Sequence, residues 1–231
     1  MTMQTATVGN PSRANNTSLQ ERAMPRWGMV IDLKRCYGCY TCMMACKVAN
    51  HTPPGVFWSR ILKGESGAFP NTVRQALPVL CMQCDEPSCL EVCPTGATMK
   101  LDNGIVIVDK DKCMGCKYCI MACPYGARYS VEKWESYFPD GLPLSPYEEF
   151  QKKAWEEKSG CGVATKCDFC RDRVAEGREP ACVEACPAKA RTFGDLDDPN
   201  SEVSILIKTQ RGEVLHPELG NKPKVYYLAP R

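Results

Sequence analysis

The stretch CYGCYTCMMAC, from Cys36 to Cys46, puts four thiols into eleven residues, and three comparable groups follow it along the chain. The first group is Cys36, Cys39, Cys42 and Cys46, with gaps of two, two and three residues. The second, Cys81, Cys84, Cys89 and Cys93, has gaps of two, four and three. The third, Cys113, Cys116, Cys119 and Cys123, repeats the first spacing, and the fourth, Cys167, Cys170, Cys182 and Cys186, opens its middle gap to eleven. Thiols this close in sequence converge on a shared metal more readily than they spread into separate bridges. Disulfide scaffolds are short chains with cysteines scattered between loops, whereas this chain has 231 residues. Two CxxC pairs suit the tetrahedron of zinc, but four thiolates crowded into CxxCxxCxxxC do not suit one small ion. At four thiolates per cubane, sixteen of the seventeen cysteines account for four 4Fe–4S clusters with no ligand missing.

The third group matches the run of bacterial ferredoxins, in which three thiolates hold one cubane and the fourth reaches the other cluster of a pair. Two-residue gaps wrap a tight loop around the cube, and Gly38 and Gly115 fit where the backbone passes close to it. The three-residue gap begins a short helix that carries the fourth cysteine away. Pro94, Pro124 and Pro187 then turn the chain, whereas Lys47 holds that position in the first group and implies a looser turn. The elements that must aim these loops read as short strands. GMVIDL (28–33) enters the first loop, and YTCMMACKVAN leaves it as a helix. TMKLDNGIVIVDKDKC reads as a hairpin, Thr98–Leu101 against Ile105–Val108 around Asp102, Asn103 and Gly104. GARYSV and KARTFGDL follow the third and fourth groups as strands. Val30, Ile31, Val79, Leu80, Ile120 and Met121 are expected to keep water from the clusters. Two stretches without the repeat, 51–78 and 131–160, read as insertions, used for interface contact or as plain surface decoration.

The remaining composition excludes other classes. A net charge of +2 argues against a polyanionic partner such as nucleic acid. No stretch approaches the roughly 18 apolar residues of a membrane span. Residues 1–26 are polar, carry no export signal, and read as a disordered arm or a segment ordered by a partner. There is no Ser–His–Asp set and no phosphate loop, so no catalytic residue is assigned. His51 and His216 read as surface or interface residues, with a place near a cluster left open for His51. Tyr37, Tyr40 and Phe169 invite an electron-relay reading, against which ordinary packing is simpler. Cys161 stands outside the repeat as a bystander thiol or, alternatively, a replacement ligand at the fourth group.

Taken in order, MVIDLKRCYGCYTCMMACKVAN, CMQCDEPSCLEVCPTGAT, DKCMGCKYCIMACPYGAR and KCDFCRDRVAEGREPACVEACPAKARTFGDLDDP resemble the four-cluster iron–sulfur subunit of molybdopterin oxidoreductases. That family includes the electron-transfer subunits of dimethyl sulfoxide, polysulfide, thiosulfate, tetrathionate and respiratory arsenate reductases. The resemblance covers roughly residues 27–228. It implies an α+β fold of two pseudo-symmetric ferredoxin-like modules with inserted loops. The outer module takes residues 27–60 and 161–200, the inner one 75–130, with an insertion at 131–160 and a C-terminal extension at 201–231. By matching positions, one 4Fe–4S cluster takes Cys36, Cys39, Cys42 and Cys186, and a second takes Cys167, Cys170, Cys182 and Cys46. A third takes Cys81, Cys84, Cys89 and Cys123, and the last Cys113, Cys116, Cys119 and Cys93. A Trp in place of a third-group Cys marks relatives with a 3Fe–4S centre; all four are Cys here.

The function implied is conduction of single electrons between a quinone-side or other redox partner and a molybdenum- or tungsten-pterin catalytic subunit of a respiratory-type reductase. The alternatives are a free-standing polyferredoxin and the iron–sulfur subunit of a non-respiratory molybdopterin hydroxyltransferase. Without a signal or membrane span of its own, the chain is expected to be the middle subunit. It would be exported folded beside a signal-bearing catalytic subunit, or remain cytoplasmic.

Overall fold

Short elements joined by long thiol-bearing loops make up this chain, because each loop must close around a centre rather than continue a strand. The computed structural model describes residues 24–139 and 141–229. In chain order these form β1 (Trp27–Asp32), α1 (Thr41–Ala49), β2 (Ser59–Ser66), β3 (Val73–Leu80), α2 (Ser88–Glu91), β4 (Thr98–Lys100) and β5 (Val106–Val108). There follow α3 (Tyr118–Met121), β6 (Arg128–Ser130), α4 (Pro146–Lys158), β7 (Ala164–Lys166), α5 (Arg171–Ala175) and α6 (Ala181–Glu184). The last part comprises β8 (Arg191–Asp195), α7 (Glu202–Gln210), β9 (Glu213–Val214) and β10 (Val225–Leu228). The protein is thus a mixed α and β structure.

The apolar run before the first thiol group becomes β1, in a four-stranded sheet ordered β8–β1–β10–β9. β8 pairs with it antiparallel, Met29 opposite Phe193, and β10 pairs parallel, Met29 opposite Val225. Alternation of side chains along β1 divides the core. Met29 and Ile31 face the main cluster with Trp58, Leu80, Met82, Phe169 and Tyr227, while Val30 packs with Val203 and Leu228 on the other side. Val30 is therefore a partner of α7, not the shield of a cluster expected from its place in the sequence. Within the stretch expected as a C-terminal extension at 201–231, the described residues supply α7 and the β10 strand beside β1.

Three two-stranded pieces carry the rest. The β4–β5 hairpin pairs Thr98 with Val108 and forms where expected. β6 pairs with β7, Tyr129 opposite Thr165, tying the exit of the third group to the entry of the fourth. Much of the 51–78 segment is not loop but the long hairpin β2–β3, paired from Ser59–Leu80 to Ser66–Val73. Only its base is buried, so the outer half shows no hydrophobic alternation to announce a strand.

The 131–160 segment holds α4. Ser145 accepts from Glu148 N, Glu148 reaches back to Ser145 N, and Pro146 stands in the first turn, a complete capping box. Trp155 on this helix is 0% exposed, with its ring 6.0 Å from that of Trp58. Through the buried Glu148, Gln151 and Trp155 of α4 the segment adds to the core and is more than surface decoration. Of the arm expected at 1–26, residues 1–23 lie outside the described residues. Arg26 is held by Asp195 Oδ1 through its N–H at 3.0 Å and by Asp85 and Asp197 through its side chain, both at 2.9 Å.

Candidate metal centre

All four thiol groups are built on one backbone device. The second residue of the first CxxC gap in each group has a positive φ: Gly38 at 74°, Gln83 at 48°, Gly115 at 75° and Phe169 at 55°. A left-handed residue in a tight turn swings successive N–H groups toward the inside of the loop, a concavity suited to anions. Glycine takes this conformation freely. Gln83 and Phe169 take it because they are buried: Gln83 donates to Cys167 O and accepts from Val106 N, both at 2.7 Å, and Phe169 packs edge-on to Phe193. At Gly115 the crowding atom is the carbonyl oxygen of Gly162, which a Cβ would strike.

The later cysteines of each group ride the short helices, Cys42 and Cys46 on α1, Cys89 on α2, Cys119 on α3 and Cys182 on α6. α1 packs on α6 and α2 on α3, so first meets fourth and second meets third. After the fourth cysteine, Gly96, Gly126 and Lys189 turn at positive φ in the last three groups. The first group does not loosen where Lys47 replaces proline. Its helix runs on to Ala49, and the buried Lys47 Nζ donates to the carbonyls of Thr52, Pro53 and Val56 at 3.0, 2.6 and 3.3 Å.

The thiols stand around voids rather than on a point. Among the described residues, no three His, Cys, Asp or Glu side chains close tightly enough for one metal ion. One void is lined by Cys36, Cys39, Cys42 and Cys186, with Arg191 at its wall. Another is lined by Cys81, Cys84, Cys89 and Cys123, with Arg128 and Tyr125. Cys46, Cys167, Cys170 and Cys182 are all buried and interact mutually. Of the remaining four, Cys93, Cys113, Cys116 and Cys119, Cys93 accepts from Thr98 N at 3.4 Å and Cys113 from Ala164 N at 3.5 Å.

Burial and crowding set the protonation of these groups. Burial, then neighbouring Cys81, Cys89 and Cys123, pushes Cys84 up to about 12. Burial likewise takes Cys182 to about 11 and lifts Cys46 and Cys167 well above the ordinary thiol value. Such thiols ionise only when a metal supplies the countercharge, so loading releases protons. Cys39 and Cys93 go the other way, Cys39 lowered chiefly by its hydrogen bond with Thr41. Against the upward push of burial, hydrogen bonds from Thr98 and Thr95 bring Cys93 down to about 7.

The polar surroundings favour negative charge. Among the described residues, five of the seven buried charged ones are cations, Lys47, Arg128, Lys166, Arg191 and Lys224, against Glu148 and Asp168. Arg128 Nη2 donates to Cys89 Sγ at 3.0 Å, and Asn50 Nδ2 to Cys46 and Cys170 Sγ at 3.5 and 3.7 Å. Neither Arg128, Arg191 nor Asn50 follows from the thiol spacing, although the repeated CPYGAR and CPAKAR place both arginines equivalently. The residues present fit a 4Fe–4S cubane: thiolate donors, inward amides and buried cations.

Other expected residues fall elsewhere. Ile31, Val79 and Leu80 are buried as expected, but Met121 is 84% exposed and shields nothing. Tyr37 is exposed, Tyr40 lies 4.2 Å beneath the Lys63 ammonium, and Phe169 is core packing. His51 is half-buried edge-on to Phe150, and His216 pairs with Glu218 at 3.0 Å. Cys161 is half-buried, with burial pushing its thiol up. No helix of the described residues is long and apolar enough to cross a membrane.

Thiol-ringed voids at the mouths of repeated loops define an iron–sulfur protein. The family model of a 4Fe–4S dicluster domain matches residues 73–138 and 143–196. The chain is 45% identical over 211 residues to a selenate reductase subunit of Mesobacillus selenatarsenatis, covering 88% of this chain and 72% of that one. It is 41% identical over 230 residues to a sulfite dehydrogenase subunit of Allochromatium vinosum, covering 90% and 85%. It is also 39% identical over 224 residues to ArrB, the arsenate respiratory reductase iron-sulfur subunit of a Shewanella species, covering 88% and 96%. The chain belongs to this 4Fe–4S dicluster family of iron–sulfur subunits. Its cofactors are 4Fe–4S clusters, as the thiol spacing led one to expect, and its role is electron transfer within an oxidoreductase complex, as the family resemblance implied.

Proposed function

We propose that the sixteen grouped cysteines hold four 4Fe–4S clusters in two nested, ferredoxin-like modules. In the outer module, Cys36, Cys39 and Cys42 join Cys186, and Cys167, Cys170 and Cys182 join Cys46. In the inner module, Cys81, Cys84 and Cys89 join Cys123, and Cys113, Cys116 and Cys119 join Cys93. The observation that carries this reading is the pair of voids in which the fourth thiol comes from the partner group, Cys186 in one and Cys123 in the other. When bound, such clusters supply reversible one-electron transfer. The chain holds them at fixed places, excludes water with Ile31, Val79 and Leu80, and sets their potentials through N–H and cationic groups.

The complex this subunit serves contains a molybdenum- or tungsten-pterin catalytic subunit, and electrons pass between that subunit and a quinone-side or other carrier. The named relatives include reductases of selenate and arsenate and a dehydrogenase of sulfite, so the design suits flow in either direction. Export in the folded state beside a signal-bearing catalytic subunit accounts best for its location.

Iron analysis of the native complex tests the assignment. About sixteen iron per chain is expected from four cubanes; a value near four, or stoichiometric zinc, overturns it. Cys186→Ser should perturb one cluster's electron paramagnetic resonance signal, whereas Cys161→Ala should leave all signals and the iron count unchanged.

A further inference from the structure

Two buried guanidiniums stand at the same place in two of the thiol groups. The third and fourth groups end CPYGAR and CPAKAR, so Arg128 and Arg191 each follow the fourth cysteine of their group by five residues. Each opens a strand, β6 or β8, after the same turn: Gly126 and Lys189 have φ of 55° and 47°, and their N–H groups donate to the carbonyls of Cys123 and Cys186 at 3.2 and 3.1 Å.

Both side chains then return to the thiols. Arg128, 4% exposed, donates to Cys89 Sγ at 3.0 Å and to Thr98 Oγ1 at 3.1 Å, and lines the void of Cys81, Cys84, Cys89 and Cys123. Its charge also reaches Cys119 of the third group. Arg191, 4% exposed, donates to Ser59 Oγ at 3.0 Å and lines the void of Cys36, Cys39, Cys42 and Cys186. Its charge reaches Cys182 and Cys46 as well. These hydrogen bonds go to sulfur and hydroxyl groups rather than to a carboxylate. A guanidinium so deeply buried needs a countercharge, and thiolate-bound clusters are the anions at hand.

We propose that Arg128 and Arg191 are a matched pair of electrostatic bridges, each set between the two clusters of one module and stabilising their reduced states. This rests on the ligand sets of the proposed function. On those sets Arg128 touches a ligand of one inner cluster while its charge reaches Cys119 of the other, and Arg191 lines the void of Cys42 and Cys186 of one outer cluster while its charge reaches Cys46 and Cys182 of its neighbour. A fixed positive charge in a medium of low dielectric favours each added electron and screens it from an electron on the adjoining cluster. No bond forms or breaks: one electron arrives from the redox partner and leaves to it.

The test is a mediated redox titration of the holo complex, followed by electron paramagnetic resonance with iron analysis of each sample. Arg128→Gln keeps an amide donor and removes the charge. It should lower the reduced-to-oxidised ratio of the inner pair about tenfold at fixed potential, ~59 mV for one electron, and leave the outer pair unmoved. Arg191→Gln should do the reverse. Arg128→Lys and Arg191→Lys should stay within about threefold of wild type on the same scale. Full iron with unshifted Gln titrations, or a Lys variant that falls as far as its Gln counterpart, overturns the bridge. If a Gln variant loses iron, its Lys counterpart decides. Wild-type iron and near-wild-type titration support the proposal, while loss of iron there too overturns it, because shape and not charge is then required. A wild-type count far below about sixteen iron fails the ligand assignment; a full count with unmoved potentials fails only the bridge.

Discussion

The amide of Asn50 donates to Cys170 Sγ at 3.7 Å across 120 residues of sequence, and to Cys46 Sγ at 3.5 Å on its own helix. Its other end is fixed: Asn50 Oδ1 accepts from Lys158 Nζ at 3.1 Å, and Lys158 in turn lies 3.3 Å from Asp172 and 3.7 Å from Asp168. The last residue of α4 therefore aims the carboxamide at two sulfurs of one proposed cluster. Hydrogen bonds to charged partners are worth roughly 1.5–3 kcal/mol. Asn50→Leu should accordingly lower that cluster's reduced-to-oxidised ratio by roughly tenfold with iron retained, and Lys158→Met should move it the same way by less. Redox titration of both variants is the measurement; an unmoved cluster in Asn50→Leu refutes the role.

Gly115 carries two constraints at once, a φ of 75° and a Cβ direction blocked by the Gly162 carbonyl. The left-handed conformation alone costs an L-residue roughly 1–2 kcal/mol. Gly38, at 74°, faces Ala76 Cβ and the flexible Lys63 Cε, each 3.0 Å from where a Cβ would lie. Gly115→Ala should therefore destabilise the holo protein more than Gly38→Ala. Thermal unfolding with iron retention ranks them, and the reverse order would contradict the geometry.

Trp155 is fully buried, and its indole N–H has no hydrogen-bond partner among the described residues. Truncation to Ala removes the ring that packs on Trp58 and should cost about 3–5 kcal/mol. Trp155→Phe keeps most of the apolar volume and deletes an unsatisfied donor, so about 1–2 kcal/mol is expected. Denaturant unfolding of the two variants checks this; equal losses would mean the segment carrying α4 does not contribute as core.

Glu148 gathers hydrogen bonds from Ser145 N and Oγ, Ser136 Oγ and Tyr137 N at 2.7–3.0 Å. The Ser145 and Ser136 bonds, with that from Tyr137, bring its carboxyl from 4.5 down to about 2. Because the folded value is depressed, the stabilisation is complete above the unfolded value and disappears as pH falls through the folded one. The stability advantage of wild type over Glu148→Gln should thus be constant from neutrality to about pH 4.5 and shrink below it. Reading the difference between the two proteins cancels acid loss of iron common to both. A difference that is flat down to pH 3 would contradict the assignment.

What could be read from the sequence was whatever is local. Thiol spacing and the β4–β5 hairpin with its Asp102–Gly104 turn depend on neighbours close in sequence, and the family resemblance on the order of such local groups along the chain. The β2–β3 hairpin escaped because its distal strand faces water on both sides, as at Lys63 and Gln75, and so lacks a two-residue period. α4 went unread within the 131–160 insertion although SPYE carries the pattern of a capping box, and nothing local says that Trp155 meets Trp58. The parallel pairing of β1 with β10 joins the two ends of the described chain and has no local signature. Lys47, standing where the other groups have proline, belongs to the same class: its three carbonyl partners are set by the path of residues 52–56.

That central sheet also carries a timetable for biosynthesis. Among the described residues β1 is the first strand to leave the ribosome, yet its neighbours are β8, beginning at Arg191, and β10, ending at Leu228. On the proposed ligand sets, every thiol of the inner module has emerged once Cys123 is made, while the outer one waits for Cys186. The inner centres can therefore be filled on a nascent chain. The outer ones can close only when the polypeptide is nearly finished, so a truncated product cannot present a complete conduit to its partners.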